Sequence, residues 1–531
     1  MATMLPWWAG AIWLMVALSV SAALKVAWVS AKTFETSRRN QWLAAIGTGA
    51  LIRALTPFDL VRVFTGWELL GKGFAGAELP RYGAGWVTFL RPLLSLYPDP
   101  ELWVSWVNLI TGTLTIAAIS LMTASWRSGP FAAKRLVWSA WLLALMPLLI
   151  RHHRSESALP LAFAMWLVGG TLWSQWLRRG DRMLAWLAAP AFAIAAHTRP
   201  SFALAAPVTI WALGKWLPRE AWQRKWAQGP LVILLWLLLP QILWLTTGGQ
   251  MRAASGDLPT VASPLFVLQL PVMLVGLNLA LWPQAFPVAI TAFGLGYAWR
   301  GRHDPRVRHC LGFASVLGGA LLTLGMTDPV VASLPRLQAP WLALWTCVVV
   351  VLHPGQTATG SAFKRGLIIL VASYVVTLPW LFRPENADIE DRALSVVAQR
   401  LADQRGDLYW LAPGDSGADK VSRAYPTWRF QRPFAQLRLL PLRDLPPPGQ
   451  TDNPAWVWLG VRCAAKHRAI EDAVPQSYEQ PACARVRSRK DLEPVWTQSV
   501  ANHGNVHFPW WPKSSHLPIG LYRLQTKASP Q

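Results

Sequence analysis

The chain is short of acid, short of cysteine, and without the short motifs that mark soluble catalysts. Of its 531 residues, 27 are Asp or Glu and 4 are Cys. Charged residues of both signs reach only 15%, well below the share in a soluble globular domain. No Walker A loop, GxGxxG turn, HExxH helix or GxSxG elbow occurs in a strand–turn–helix context, so hydrolysis by a known soluble motif has no support. The cysteines lack CxxC spacing, which argues against a structural metal. No Lys or Arg precedes the first apolar run, so the N-terminus lacks the basic region of a cleaved secretory signal and reads as a retained span.

What is present points to a bilayer. Hydrophobic residues are 53%, there are 34 tryptophans, and the net charge is +23. So much tryptophan fits an interfacial belt. The basic residues sit in short groups between apolar runs and form no single patch. That excludes nucleic acid as the natural partner and fits loops facing anionic headgroups. Apolar runs fall at 8–29, 41–57, 102–126, 136–150, 158–177, 183–197, 201–217, 230–247, 283–299, 310–327, 339–353 and 365–382. They predict a polytopic α-helical membrane protein of about 12 transmembrane helices. The run 265–282 is either a span or an interfacial helix. Arg53, the one charge in the run 41–57, is expected to snorkel toward the interface.

Alternate loops hold the basic groups Lys32/Arg38/Arg39, Arg127/Lys134/Arg135, Arg178/Arg179/Arg182, Lys215/Arg219/Arg224/Lys225, Arg300/Arg302/Arg306/Arg308 and Lys364/Arg365. The positive-inside rule makes these cytoplasmic, in a multi-pass protein of the inner membrane. The other loops and the C-terminal region then lie outside the cytoplasm.

Within residues 1–382, the stretch 58–100 differs from the spans around it. On a helix, residues 59–73 put Leu60, Val63, Phe64, Trp67 and Leu70 on one arc, with Arg62, Thr65, Glu68 and Lys72 opposite. That is the pattern of a helix lying in the membrane interface. After RYGAGW a second half-apolar run, TFLRPLLSLY, is expected to break at Pro92. Together they predict an interfacial platform. From residue 383 to 531 apolar runs shrink, and charge, Pro and Gly rise. This reads as an extracytoplasmic α/β or α+β domain, with VVAQRLADQRG helical and LYWLAP, AWVWLGV and LPIGLYRL as strands. PLRDLPPPGQ reads as a linker or surface loop, and VHFPWWPKSSHL as a packed aromatic loop. Cys463 and Cys483 share this domain and, in an oxidising compartment, are expected to pair.

The polar residues at the outer ends of the spans could carry chemistry. Asp59 and Glu68 lie on the platform, and Arg62, Arg81 and Tyr82 beside them. Arg151, His152, His153, Arg154 and Glu156 form a dense group, His197 and Arg199 mark an HTRP break, and Arg336 lies in a later loop. A carboxylate at this depth can take a proton from an acceptor hydroxyl, and Arg can hold a leaving phosphate. Each residue also has a plain role. Asp59 can cap a helix, Glu68 pairs with Lys72 one turn on, RHHRSES can be a solvated loop, and HTRP an ordinary turn.

Taken together the layout resembles the GT-C superfamily of membrane glycosyltransferases, which includes the protein O-mannosyltransferases and the bacterial aminoarabinose transferases of lipid A. The matching features are Asp59 just after an early span, the platform with YGAGW, and RPLLSLYPDPELWVSWVNLITGTLTIAAISLM. Others are HTRPSFALAAPVTIWAL, PRLQAPWLAL before a late span, and a trailing domain ending in GLYRL. The likeness spans roughly residues 41–382. Members often carry adjacent acids at the first position, whereas here Asp59 stands alone with Glu68 nine residues on. The resemblance implies transfer of a sugar from a polyprenyl-phosphate donor to a glycan, lipid or protein acceptor. Asp59 would be the base, Glu68 the fallback, and the Arg and His groups the donor's ligands. A divalent metal is possible but not required. A non-catalytic assembly protein with this fold, and a transporter or flippase, are the competing readings.

Overall fold

The structure is a computed structural model. It describes residues 5–56, 84–97, 100–125, 132–154, 158–199, 358–378, 389–411, 436–450, 453–460, 481–502 and 514–525, with Phe202, Phe434 and Cys463. These residues fall in two compact units, one of helices and one built on a sheet.

The helical unit begins with α1 (Leu5–Lys32) and α2 (Thr36–Leu55). It continues with α3 (Ala84–Leu96), α4 (Pro100–Ser125), α5 (Ala132–Leu145) and α6 (Pro147–His153). Then come α7 (Leu159–Arg179), α8 (Arg182–Thr198) and α9 (Ala358–Thr377). Among the described residues two helices are long and apolar enough to cross a membrane, Ile12–Lys32 and Leu102–Leu121. The runs at 201–217, 230–247, 265–282, 283–299, 310–327 and 339–353 lie outside the described residues.

Short connections fold these helices back on one another. Gly180, left-handed, caps α7, and Asp181 caps α8 by accepting from the Met183 N–H at 3.0 Å. With only these two residues between them, α7 and α8 pack as an antiparallel hairpin. Along α7 every described side chain from Leu159 to Trp176 is buried, so this helix lies inside the bundle. By contrast α1 leaves Leu14, Leu18, Leu24 and Trp28 exposed along an apolar face. In water that face would be a liability, whereas lipid tails solvate it without cost. Helices α2, α4 and α5 pack together, α1, α7 and α8 form a second group, and α4 against α7 joins the groups.

Three local readings of the sequence are corrected. The run 136–150 is not one helix, because α5 ends at Leu145 and α6 starts afresh at Pro147. Proline lacks the N–H that would continue the ladder, and its ring clashes with the preceding turn. Pro92, in contrast, does not break its run: α3 passes straight through it. Trp13 of α1 holds α3 from the side, donating its indole N–H to Phe89 O at 3.0 Å and stacking on the Phe89 ring at 4.4 Å. Such tertiary contacts can outweigh one missing helix bond. Arg53, finally, does not snorkel. It is turned into the bundle.

The second unit is a five-stranded mixed sheet in the order β2-β1-β3-β5-β4. Its elements are α10 (Ile389–Arg400), β1 (Asp407–Trp410), β2 (Arg438–Pro441), β3 (Ala455–Leu459), α11 (Pro481–Arg487), β4 (Leu492–Asn502) and β5 (Ser514–Leu524). Strands β2, β1 and β3 run parallel, and β5 and β4 are antiparallel. All five residues of β3 are buried, as a central strand covered on both faces requires. One face packs Leu394, Val397 and Leu401 on Leu408, Trp410, Trp456 and Trp458. The other packs Val486 on Tyr409, Val457 and Leu459 beside a Cys463–Cys483 disulfide. PLRDLPPPGQ is not wholly a loop, since Pro441 ends β2 and Leu442–Asp444 forms a 3-10 turn. The aromatic segment 506–517 likewise contributes its last residues to β5.

Candidate functional site

The site is built where α2 and α5 end. The last carbonyls of an α-helix lack intrahelical donors. In α5 the carbonyl of Leu143 would take the N–H of residue 147, but that residue is Pro147. Arg53, in the last turn of α2, fills the gap. Its Nη2 donates to Leu143 O at 3.1 Å, and its Nη1 to Ala144 O at 3.1 Å and Gly49 O at 2.9 Å. A cation at the negative end of a helix is also electrostatically favoured. The fourth bond runs from Arg53 Nε to His153 Nδ1 at 3.2 Å. Arg53 and His153 are both 0% exposed. Among the described residues Arg53 has no carboxylate partner.

Room for this pair comes from two glycines. A Cβ at Gly49 would lie 2.6 Å from Ile116 Cδ1 and 3.0 Å from Ala144 Cβ, so glycine lets α2 approach α4 and α5. At Gly112 in α4 a Cβ would lie 2.7 Å from His153 Cγ. The imidazole thus rests against bare backbone.

Arg154 extends the cluster toward the chain's next segment. Its Nε donates to Thr56 O at 2.9 Å and its Nη1 to Ser105 Oγ at 2.6 Å. Thr56 is the C-cap of α2, with its own N–H on Ile52 O. Arg154 therefore ties the exit of α2 to the start of α4. His152 is buried as well, with its ring edge-on to His153 at 5.1 Å. The reading of RHHRSES as a solvated loop is corrected for His152, His153 and Arg154, which are all buried. Four polar residues between two apolar runs look like a loop by composition, but helices converge on them.

His197 is buried in the last turn of α8, and Arg199 is its extended C-cap, with its N–H on Ala195 O at 2.9 Å. Pro200 follows and disfavours a helical Arg199. Because α8 returns antiparallel to α7, His197 and Arg199 reach the end of the bundle where α7 starts, a few residues past Arg154. The structure therefore joins His153 and Arg154 to Arg53, Thr56 and Ser105, while His197 and Arg199 belong to α8. Arg151 lies in α6. Asp59, Arg62, Glu68, Arg81, Tyr82, Glu156 and Arg336 lie outside the described residues. The sequence reading missed Arg53, Thr56, Ser105 and Gly112. A signal for Arg53 was available: an arginine one turn from the end of an apolar run, with no acid three or four residues away. No comparable signal marks Gly112. Among the described residues no group of three or more His, Cys, Asp or Glu could hold a metal ion.

Comparison with known proteins gives the fold. No family model matches the chain, and no curated protein matches it. Among solved structures it is similar to the crystal structure of ArnT from Cupriavidus metallidurans bound to undecaprenyl phosphate. The TM-score is 0.51 and the identity 12%, over 94% of this chain and 100% of that one. The chain thus shares the overall fold of that structure, and at this identity the likeness is one of architecture.

Proposed function

We propose that this chain is a membrane glycosyltransferase that takes a sugar from a polyprenyl-phosphate carrier and passes it to an acceptor at the outer face of the inner membrane. The observation that carries the reading is the likeness, over nearly the whole chain, to a structure that holds undecaprenyl phosphate. The apolar exposed face of α1 supports a bilayer setting. The Cys463–Cys483 disulfide supports an oxidising compartment for residues 383–531. The acceptor is a glycan, lipid or protein hydroxyl or amine.

The chemistry is an inverting displacement. The acceptor atom bonds to the anomeric carbon as the bond from that carbon to the phosphate oxygen breaks. Polyprenyl phosphate leaves with the electron pair, and the acceptor's proton goes to Asp59. Arg62, one turn on, keeps that carboxylate ionised, and Glu68 is the fallback base. Arg81, Tyr82, Arg151, Glu156, His197, Arg199 and Arg336 orient the donor. Arg154 acts from behind, by fixing Thr56, two residues before the platform stretch.

The test is transfer by the full chain in proteoliposomes, read as release of undecaprenyl phosphate from undecaprenyl-phosphate sugars. Asp59→Asn keeps the shape and removes the basicity, so turnover should fall by roughly 100-fold or more. Full turnover in Asp59→Asn with loss in Glu68→Gln would move the base to Glu68. Wild-type vesicles that move polyprenyl phosphate between leaflets without releasing sugar would instead establish a transporter.

A further inference from the structure

Among the described residues, Pro92 lies inside α3 and Pro190 inside α8. A proline has no N–H for the carbonyl four residues back. Its ring also pushes that turn open, which loosens the bond to the carbonyl three residues back. Away from water, side chains of neighbouring helices must serve such carbonyls. Helices α3 and α8 both pack on α1, and on each other. In each, a side chain of α1 donates to the carbonyl three residues before the proline. Trp13 Nε1–H reaches Phe89 O at 3.0 Å, and Ser19 Oγ–H reaches Leu187 O at 2.9 Å. Ser19 departs from local habit in doing so. A serine or threonine in a helix often returns its hydroxyl to a carbonyl of its own helix, as Thr111, Thr115 and Ser139 do here. Ser19, fully enclosed, reaches instead across 168 residues of chain. Arg53 performs the same service at Pro147, for the carbonyls three and four residues before it. Along α1, Trp13 and Ser19 are separated by about 9 Å of rise and about 120° of rotation, so one helix serves two neighbours at once.

We propose that α1 is a brace that sets the backbone angle of α3 at Pro92 and of α8 at Pro190, and that Trp13 and Ser19 are positioning residues for the groups those helices carry. Helix α8 ends at His197 and Thr198, with Arg199 as its cap, and α3 lies within the platform stretch. His197 stands about 10 Å beyond Pro190 along the helix, so a bend of about 10° there would displace it by about 2 Å. Misplacement on that scale is costly to a site that must hold a substrate in one geometry. That these groups orient a polyprenyl-phosphate donor rests on the function proposed above; the bracing of two proline-opened helices does not. Trp13 holds α3 twice, since its ring also stacks on Phe89 at 4.4 Å. Its indole N–H is therefore separable from its packing.

The test uses the full chain in lipid nanodiscs. Trp13→Phe keeps an aromatic ring on Phe89 and removes the N–H. Ser19→Ala removes the hydroxyl, and Ser19→Thr keeps it. Amide hydrogen exchange followed by mass spectrometry reads each helix separately. Trp13→Phe should speed exchange in α3 and leave α8 unchanged. Ser19→Ala should speed it in α8 around residues 187–194 and leave α3 unchanged. Each effect should be about three-fold or more, the worth of one neutral hydrogen bond. Ser19→Thr should restore the wild-type rate. Pro92→Ala and Pro190→Ala give each helix its own N–H back, so in those backgrounds the matching α1 substitution should lose most of its effect. Undecaprenyl phosphate, titrated into the same nanodiscs, should bind about three-fold more weakly to Ser19→Ala and recover with Ser19→Thr. Exchange as expected in a wild type that binds no undecaprenyl phosphate would uphold the brace and overturn the lipid-carrier function. Exchange as expected with equal binding by wild type and Ser19→Ala would overturn the positioning role. Exchange unchanged by both α1 substitutions, or losses as large in the alanine backgrounds as in the proline ones, would overturn the brace.

Discussion

In the helical unit Arg53 is fully enclosed and donates to the carbonyls of Gly49, Leu143 and Ala144 and to one imidazole. In the sheet unit Arg438 is 68% exposed and forks onto Asp407, with both bonds at 2.8 Å. The two arginines solve different problems. Arg438 sits across the β1–β2 pair and meets a full opposite charge in water, where such a pair adds little. Arg53 is shut away from bulk solvent and, among the described residues, meets only dipoles, so each of its bonds matters, and so does each carbonyl it would leave behind.

That contrast can be broken at several points. The largest effect should come from Arg53→Met, which leaves the carbonyl of Leu143 without a donor and loosens two others. Buried acceptors without donors cost about 1–3 kcal/mol each, so about 4 kcal/mol is expected. It would be read as a lower melting temperature of the full chain by tryptophan fluorescence. Arg438→Ala should leave that melting temperature in place. Equal effects from the two substitutions would erase the distinction.

Next is the covalent tie of the sheet unit. Replacing Cys463 and Cys483 together with serine opens a loop with a sequence separation of 20. The chain-entropy model sets that at about 3 kcal/mol. Limited proteolysis should then cut within residues 464–480 while the fragment holding α1–α8 survives. Unchanged resistance would mean that the cores on the two faces of the sheet suffice.

A smaller cost, about 1–3 kcal/mol for overpacking, is expected for Gly112→Ala. His153→Ala should lower the added cost of Gly112→Ala, because the methyl group then has no ring to strike. Full additivity in the double-mutant cycle would rule out that contact.

The smallest effect is a pH dependence at the sheet. Arg489 forks onto Asp491 at 2.9 and 2.6 Å, and this hydrogen bonding holds the Asp491 carboxyl below the ordinary range. A carboxyl depressed in the folded state adds stability above its unfolded pKa of about 3.9, and that stability is lost as pH falls through the lower folded value. Acid unfolding of the sheet unit followed by circular dichroism should therefore begin at higher pH in Arg489→Gln. Coincident curves would show the pair to be energetically silent.

Much of the outline was legible in the sequence because helix and strand signals are local. The runs 8–29, 102–126 and 183–197 coincide closely with α1, α4 and α8, and three strands of the C-terminal sheet were readable from their β-rich composition. The strands that escaped are β2 and β4. β2 is four residues long, and β4 mixes Pro494, Gln498 and Asn502 with its apolar positions, as edge strands do. At the site, RHHR stood out by composition, but its burial did not.

The sequence by itself determined that apolar segments dominate residues 1–382, that a different composition follows, and where basic groups punctuate the spans. Those properties depend on residue type and near neighbours. Tertiary structure decided the rest: that Arg53 turns inward onto His153, that Arg154 anchors Thr56, and that β5 lies between β3 and β4. Three of the four partners of Arg53 stand 90 to 100 residues away in the chain. The proline that leaves Leu143 unserved and the arginine that serves it lie on different helices. Only packing those helices together makes one the answer to the other, because an unsatisfied carbonyl exerts its cost only once water has been excluded.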